Sequence, residues 1–282
     1  MPEARQTTLK RAASVSGIAL HTGKRIHMRV GPAPENTGVV FRRTDLDGHP
    51  EVKARLDNVT NTQRATTICS DQAQVHTTEH LLAALFAFGV DNALVEMDGA
   101  EPPVDDGSAA LFCEALVEAG VETLTAERKR LRIREPVFYE SGESLLIGLP
   151  RDGELRITCT VRYHHNPLDS QHLSLPIDRE TFVNELSKAR TFCLYKEIES
   201  LMTADLIRGG SLDNAVVIKD DIILSREGLR YEDEFVRHKM LDVIGDLSLA
   251  GVRLDGHIVA VKPGHPSNIE FARRLLSAEN RS

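Results

Sequence analysis

The chain has few of the features that would staple it together or tie it to a membrane. Its four cysteines, Cys69, Cys113, Cys159 and Cys193, are scattered, with no C-x-x-C pair. That pattern argues against a disulfide framework or a cysteine-based zinc site, and it suits a reducing compartment. The longest apolar run, Leu81 to Val90, is far short of the ~20 residues a bilayer span needs. The opening Met1-Pro2-Glu3-Ala4-Arg5-Gln6 has no apolar signal core. Positive charge is not in excess: 34 Lys and Arg stand against 42 Asp and Glu, a formal net charge of −8. This argues against general nucleic-acid binding and leaves small anionic substrates open. Local clusters such as Arg128-Lys129-Arg130 read as solvated surface. Low-complexity segments and short-period repeats are also missing. The expectation is a soluble cytoplasmic protein, monomeric and without a membrane span.

What is present is organised around one stretch, Asp233 to Leu247. Phe235, Met240, Leu241, Val243, Ile244 and Leu247 recur at helical spacing and predict a helix with one broad apolar side. Acidic residues crowd its first turn, where the helix dipole favours them, and Asp233 is the expected N-cap. His238, Asp242 and Asp246 are spaced by four and project from one stripe. An imidazole and a carboxylate one turn apart can share a divalent metal. The same spacing is also a common surface ion pair, so a third ligand from elsewhere decides between the two.

At 282 residues the chain suggests two domains. Residues 7–70 read as strand-rich and turn-punctuated, with strands over 24–30, 39–43 and 65–69. A helix is predicted from Thr77 or Thr78 to Gly89, then a strand over 92–97, then a second helix N-capped by Ser108 and ending at Ala119-Gly120. The charged stretch Glu122 to Arg130 reads as the linker between a domain of residues 1–125 and one of residues 126–282. The second half repeats the rhythm without sequence repetition: strands over 131–140, 143–149 and 154–163, a helix over 179–190, and a mixed insert over 193–225 with a helix over 197–206. A Gly209-Gly210-Ser211 turn, a strand over 258–262 and a last helix from about Ser267 complete it. Strands grouped before helices predict α+β domains, each a mainly antiparallel sheet on two helices.

Most of the eleven histidines stand in strand or loop contexts with no partner at ligand spacing. His21, His27, His49, His164, His165, His172 and His257 are read as surface or supporting residues, and His76 as polar surface. His80 differs. It follows Glu79 in the first turn of an otherwise apolar helix. A Glu beside a ligating His suits hydrolysis, since the carboxylate can take a proton from the attacking water. His80, His238 and Asp242 together make a three-ligand set that leaves one coordination position open, the pattern of catalytic rather than structural zinc. His265 could then protonate an amine leaving group, with Asp246 holding its imidazole charged. Such nitrogen and oxygen donors would also accept iron or cobalt.

Further stretches carry a resemblance over nearly the whole chain: Ser16-Gly17-Ile18-Ala19-Leu20-His21-Thr22-Gly23, Thr78-Glu79-His80-Leu81-Leu82, Asp106-Gly107-Ser108-Ala109 and Ala189-Arg190-Thr191-Phe192. Gly209-Gly210-Ser211, Glu227 to Glu234, His238-Lys239-Met240-Leu241-Asp242 and Gly264-His265 extend it. The chain resembles the bacterial UDP-3-O-acyl-N-acetylglucosamine deacetylase family, zinc amidases of lipid A biosynthesis. The resemblance implies release of acetate from a UDP-linked acylated amino sugar at a site between the facing helix layers of two domains. It implies zinc on His80, His238 and Asp242, with Glu79 as base, His265 as acid and Asp246 behind it. Thr191 would polarise the amide carbonyl and Phe192 would pack near the sugar. Lys239 and Lys262 would meet the nucleotide, Tyr163 would stack on uracil and Gly210 would contact the substrate. Within the insert, Leu194, Ile198, Leu201, Ile207 and Val217 are the expected wall of an acyl passage. Gln63, Arg64, Pro102, Asp105, Pro263 and Pro266 depart from the family pattern and bear on acyl preference and loop mobility. Two other readings remain open here: a zinc amidase for a different acylated amino sugar, and a non-catalytic UDP-sugar-lipid binding protein.

Overall fold

Two sheets of matching topology come from the two halves of the chain. The computed structural model describes residues 5–162, 170–204, 206–220 and 222–279. In the first sheet the strands lie in the order Ala13–Ile18, Arg25–Pro32, Ala93–Met97, Val39–Arg43 and Glu51–Lys53. In the second the order is Val137–Ser141, Ser144–Leu149, Arg253–Val261, Leu155–Val161 and Gln171–Pro176, with Arg130–Arg132 also paired to Arg253–Val261. In both, the central strand is the last in sequence, antiparallel to one neighbour and parallel to the other. A parallel neighbour requires a crossover rather than a tight turn, and in both halves a helix lies on that route.

The helices are α1 (Glu79–Ala87), α2 (Ala110–Ala119), α3 (Arg179–Thr181, continued by a π turn over Phe182–Leu186), α4 (Tyr195–Thr203), α5 (Glu234–Ser248) and α6 (His265–Glu279). α1 and α2 flank the central strand of the first sheet in sequence as α5 and α6 flank that of the second. Each half is thus the same arrangement of four strands, helix, strand and helix, a mixed α+β fold with mostly antiparallel sheets. Each half is also interrupted just before its first long helix. The first interruption is the small sheet Val59–Asn61, Thr67–Cys69 and Gln74–Val75, and the second carries Phe192–Leu194, α4, Val216–Lys219 and Ile222–Leu224.

α1 and α5 pack against each other at the centre of one continuous apolar core. Every residue of α1 is buried, as expected for a helix whose sequence is apolar on nearly all sides. α5 is amphipathic but buries its polar stripe too, because that stripe faces α1. Gly245 makes the approach possible: a Cβ there would collide with the Glu79 carbonyl. No described helix is long and apolar enough to cross a membrane.

Several expectations need correction. The charged stretch read as the linker is not a loop throughout: it carries a strand through Glu127, paired antiparallel with Arg5–Leu9. Asp233 occupies the N-cap position but makes no cap bond, and its carboxylate takes the Arg237 guanidinium 2.5 Å away. Ala109, not Ser108, is the N-cap of α2; the Ser108 hydroxyl donates to Asp106 and accepts from Ala110. The helix expected over 179–190 stops at Leu186, where the π turn lets the chain leave toward the site. The strand expected over 131–140 is two strands, and α6 begins at His265 itself.

Gly245→Ala is expected to destabilise the protein by about 1–3 kcal/mol through overpacking and to weaken metal uptake, both read from denaturation and metal titration. Unchanged stability would mean that α1 and α5 can separate without cost.

Candidate active site

The first turn of α1 and the middle of α5 deliver their side chains to one place. His80, His238 and Asp242 are all buried, and one ligand atom from each lies within 4.8 Å of the others. The Asp242 Oδ1 is 3.5 Å from the His238 Nε2 and 3.8 Å from the His80 Nε2. The second carboxylate oxygen of Asp242 accepts from Lys239 at 2.8 Å. The ring of His238 is fixed by its Nδ1–H, which donates to the Ala189 carbonyl at 3.0 Å and leaves Nε2 as the basic nitrogen. Asp242 Oδ1 and His80 Nδ1 are buried without a hydrogen-bond partner. Buried polar atoms are rarely left so, and a divalent cation would engage the carboxylate oxygen. The donor set of two imidazoles and one carboxylate fits zinc.

Electrostatics separates the three histidines by role. Burial pushes His80 down to about 3, reinforced by the neighbouring His238. Burial also lowers His238, against the pull of Asp242. Both rings are therefore neutral and available as ligands. For Asp242, burial works upward, but Lys239 and the surrounding imidazoles outweigh it and hold the carboxyl below its ordinary range. His265 behaves oppositely. Burial favours its neutral form, yet Asp246 and Glu79 overcome this and raise it to about 9. Its Nδ1–H donates to Asp246 Oδ2 at 2.8 Å, and its Nε2 is 3.8 Å from Glu79 Oε1.

Glu79 is buried, and desolvation raises its carboxyl above the ordinary value despite the pull of His265. Its Oε2 accepts from the Thr66 backbone N–H at 3.1 Å. Thr66 is a residue that the sequence reading passed over as part of a strand. Fully buried, it also accepts from the Thr78 N–H through its carbonyl and donates its hydroxyl to Asp246 at 2.5 Å. One threonine thus joins Glu79, the start of α1 and the carboxylate behind His265. Asn268 was missed as well; its amide donates to Asp246 Oδ2 at 2.8 Å. Neither residue stands at a spacing or in a motif that singles it out.

Thr191 is held at the rim by its N–H to the Gly107 carbonyl, 2.9 Å. Just before it, Arg190 forms a fully buried pair with Glu234 at the start of α5, Nε to Oε1 2.8 Å and Nη2 to Oε2 3.0 Å. The Phe192 ring packs edge-on to Phe235 and lies 6.3 Å from His238 between ring centres. Lys239 reaches over the Phe192 face at 5.7 Å while bonded to Asp242, so it belongs as much to that buried carboxylate as to the surface. Lys262, in a left-handed backbone conformation at φ 47°, pairs with Glu143 at 2.7 Å. Tyr163, His164 and His165 lie outside the described residues.

Beside Thr191 and Phe192 opens a cavity of about 570 Å³. Ile198, Leu201, Ile207 and Val217 line it as expected, together with Met202, Leu206 and Gly210. Leu194 does not: it packs with Val216, Ile218 and Phe235 in a separate small apolar cluster. Arg64 reaches across from the first half and binds Glu197 with two hydrogen bonds of 2.8 and 3.1 Å. His21, read as a surface or supporting residue, is buried and also lines this cavity.

Residues 6–277 match the family model for UDP-3-O-acyl N-acetylglycosamine deacetylase. The chain is 45% identical over 272 residues to the UDP-3-O-acyl-N-acetylglucosamine deacetylase of Geotalea uraniireducens (strain Rf4), covering 96% of this chain and 88% of that relative. The chain is also similar to the same-named proteins of Idiomarina loihiensis (43% over 279 residues, 98% of this chain and 91% of that relative) and Chlamydia caviae (44% over 277 residues, 98% and 98%).

Asp246→Asn is expected to lower the pKa of His265 by more than about one unit, because the charge that opposes desolvation is gone. Imidazole NMR shifts followed against pH measure it; an unmoved titration would show that Asp246 only orients the ring.

Proposed function

The chain belongs to the UDP-3-O-acyl N-acetylglycosamine deacetylase family, and on that premise we propose how its residues divide the reaction. It is an amidohydrolase that converts UDP-3-O-acyl-N-acetylglucosamine to UDP-3-O-acyl-glucosamine and acetate in lipid A biosynthesis. The family is one of metalloenzymes, and our reading assigns a zinc ion to His80, His238 and Asp242, with iron or cobalt as substitutes. When bound, such an ion lowers the pKa of a coordinated water toward about 7 and polarises an amide carbonyl. The observation that carries the assignment is the convergence of those three buried donors with Glu79 and His265 from both halves.

Glu79 takes the proton of the attacking water, a role suited to a carboxylate whose pKa burial has moved toward neutrality. The Thr191 hydroxyl donates to the carbonyl oxygen as negative charge develops there. His265, held protonated by Asp246, gives its proton to the departing amine nitrogen, which would otherwise leave as a strongly basic anion. Phe192 packs near the sugar, Gly210 contacts the substrate, Lys239 and Lys262 meet the acidic nucleotide end, and Tyr163 stacks on the uracil. The cavity beside Thr191 accepts the acyl chain at ~0.8 kcal/mol per buried CH₂. This lets a cytoplasmic monomer handle a lipid precursor. We divide the chain into a first unit, residues 1–125, that supplies the base and one ligand, and a second, 126–282, that supplies the rest.

Acetate release from UDP-3-O-acyl-N-acetylglucosamine by the metal-loaded protein tests this reading directly. Glu79→Gln is expected to reduce kcat by about 10²–10⁴ while bound metal stays near one equivalent, whereas His238→Ala is expected to lose the metal. A Glu79 variant that loses the ion would move Glu79 into the ligand set. The rate is expected to fall as pH rises through about 9, where His265 loses its proton, and His265→Ala should abolish that limb; its survival would exclude His265 as the acid.

A further inference from the structure

The carboxylate of Glu101 is completely buried yet touches none of the reacting groups. It accepts hydrogen bonds from the His21 N–H at 3.0 and 3.1 Å and from the Thr22 N–H at 2.9 Å. It also accepts one from the Thr77 hydroxyl at 2.9 Å. Four such contacts to a buried anion make a rigid knot, because a carboxylate stripped of donors in the interior is costly. The two sides of the knot lead to different places. Thr77 is two residues before Glu79, in a left-handed conformation at φ 51° that a β-branched residue adopts only under constraint. The loop at His21 leads instead to the wall of the cavity.

That second connection is also continuous. The Arg208 N–H donates to the His21 carbonyl at 3.1 Å, and the Gly209 N–H donates to the Leu20 carbonyl at 2.9 Å. The Ile207 N–H faces the His21 Nδ1 at 3.4 Å. At Gly209 a Cβ would collide with the Ala19 carbonyl, so the two segments are in backbone contact. Leu20, His21, Ile207, Arg208 and Gly210 all line the cavity of about 570 Å³. The cavity wall is thereby linked by hydrogen bonds to the residue two before Glu79, with the Glu101 carboxylate accepting from both sides.

We propose that Glu101 is a positioning residue that couples occupancy of the acyl cavity to the placement of Glu79. The inference rests on the reading of that cavity as the acyl passage. Glu101 takes no part in proton transfer; it transmits the seating of the chain to the base, so that binding energy from a remote part of the substrate appears in kcat rather than only in KM. The coupling runs from Ile207–Gly209 through the His21–Thr22 loop and Glu101 to Thr77.

Two variants of the metal-loaded enzyme test it with UDP-N-acetylglucosamines bearing short and long 3-O-acyl chains. Thr77→Val removes one hydroxyl donor and keeps the side-chain shape and β-branching; Glu101→Gln replaces the acceptor itself. Metal content and melting temperature are measured for both. In the wild type kcat is expected to rise with chain length. Thr77→Val is expected to lose about tenfold of that rise, with kcat on the shortest chain within about twofold and KM for long chains unchanged. Glu101→Gln is expected to flatten the dependence further; if it fails to fold or to hold metal, Thr77→Val decides alone. Equal slowing at every chain length, or none, would overturn the coupling and leave Glu101 as an ordinary structural anchor. A wild-type kcat indifferent to chain length would overturn the passage, and absence of acetate release from every substrate would overturn the deacetylase reading itself.

Discussion

The structure depends on the contact between α1 and α5, two helices far apart in sequence that meet where Gly245 faces the Glu79 backbone. A helix fixes the direction of each side chain, and advancing one residue turns that direction by about 100°. His80 can meet His238 and Asp242 only if both helices keep their register and their separation. Core packing enforces both, since interiors close-packed like crystals do not deform continuously. The apolar residues that bury α1 on every side are therefore also what places its one imidazole. Geometry of the site and stability of the core are the same constraint here.

Placing so many ionisable groups in that core carries a desolvation cost, and the way it is offset gives each group its character. Glu79, Asp242 and Asp246 are buried carboxylates within one small volume, with His265 and Lys239 as the cations interleaved among them. An unpaired buried charge is strongly unfavourable, so each carboxylate is given its own partners. Asp246 receives Thr66, His265 and Asn268, while Asp242 receives Lys239 on one oxygen only. The oxygen left over on Asp242 faces the two neutral imidazoles. The same residue type thus serves two purposes: histidines beside one another stay neutral and basic, and the histidine beside two carboxylates stays charged.

Much of this was legible in the sequence, though unevenly. Helical periodicity gave α1, α2, α5 and α6 to within a few residues, because long buried helices have strong patterns. The i, i+4 spacing put His238 and Asp242 on one face without any knowledge of the partner. The shortest strands escaped, Gln74–Val75 and Phe192–Leu194 among them, since two or three residues carry no usable alternation. The strand over Val121–Glu127 was hidden by its own charges. Thr66, Asn268 and Glu101 were invisible for a different reason. Their importance comes wholly from contacts across distant sequence, and a lone Thr, Asn or Glu in a loop or strand has no local signature. The repeated topology of the two halves was likewise undetectable as sequence, because what repeats is the strand order and not the residues.

That repetition explains how the labour is divided. The shared framework of each half brings one helix to the centre, and between them these helices carry Glu79, His80, His238 and Asp242. The interruptions fall at the same place in both halves, just before that helix, where a loop can lengthen without disturbing the sheet. The first contributes Thr66 and Arg64, and the second contributes the wall of the cavity; Arg64 and Glu197 join them. A half-exposed ion pair of this kind adds little stability, so its effect lies in fixing how the two inserts face each other. The clustered donors thus sit on the rigid repeat, and most of the cavity lining sits on the inserts. Changes at Arg64 or along α4 can alter the shape of the cavity while the three donors on α1 and α5 stay where the core holds them.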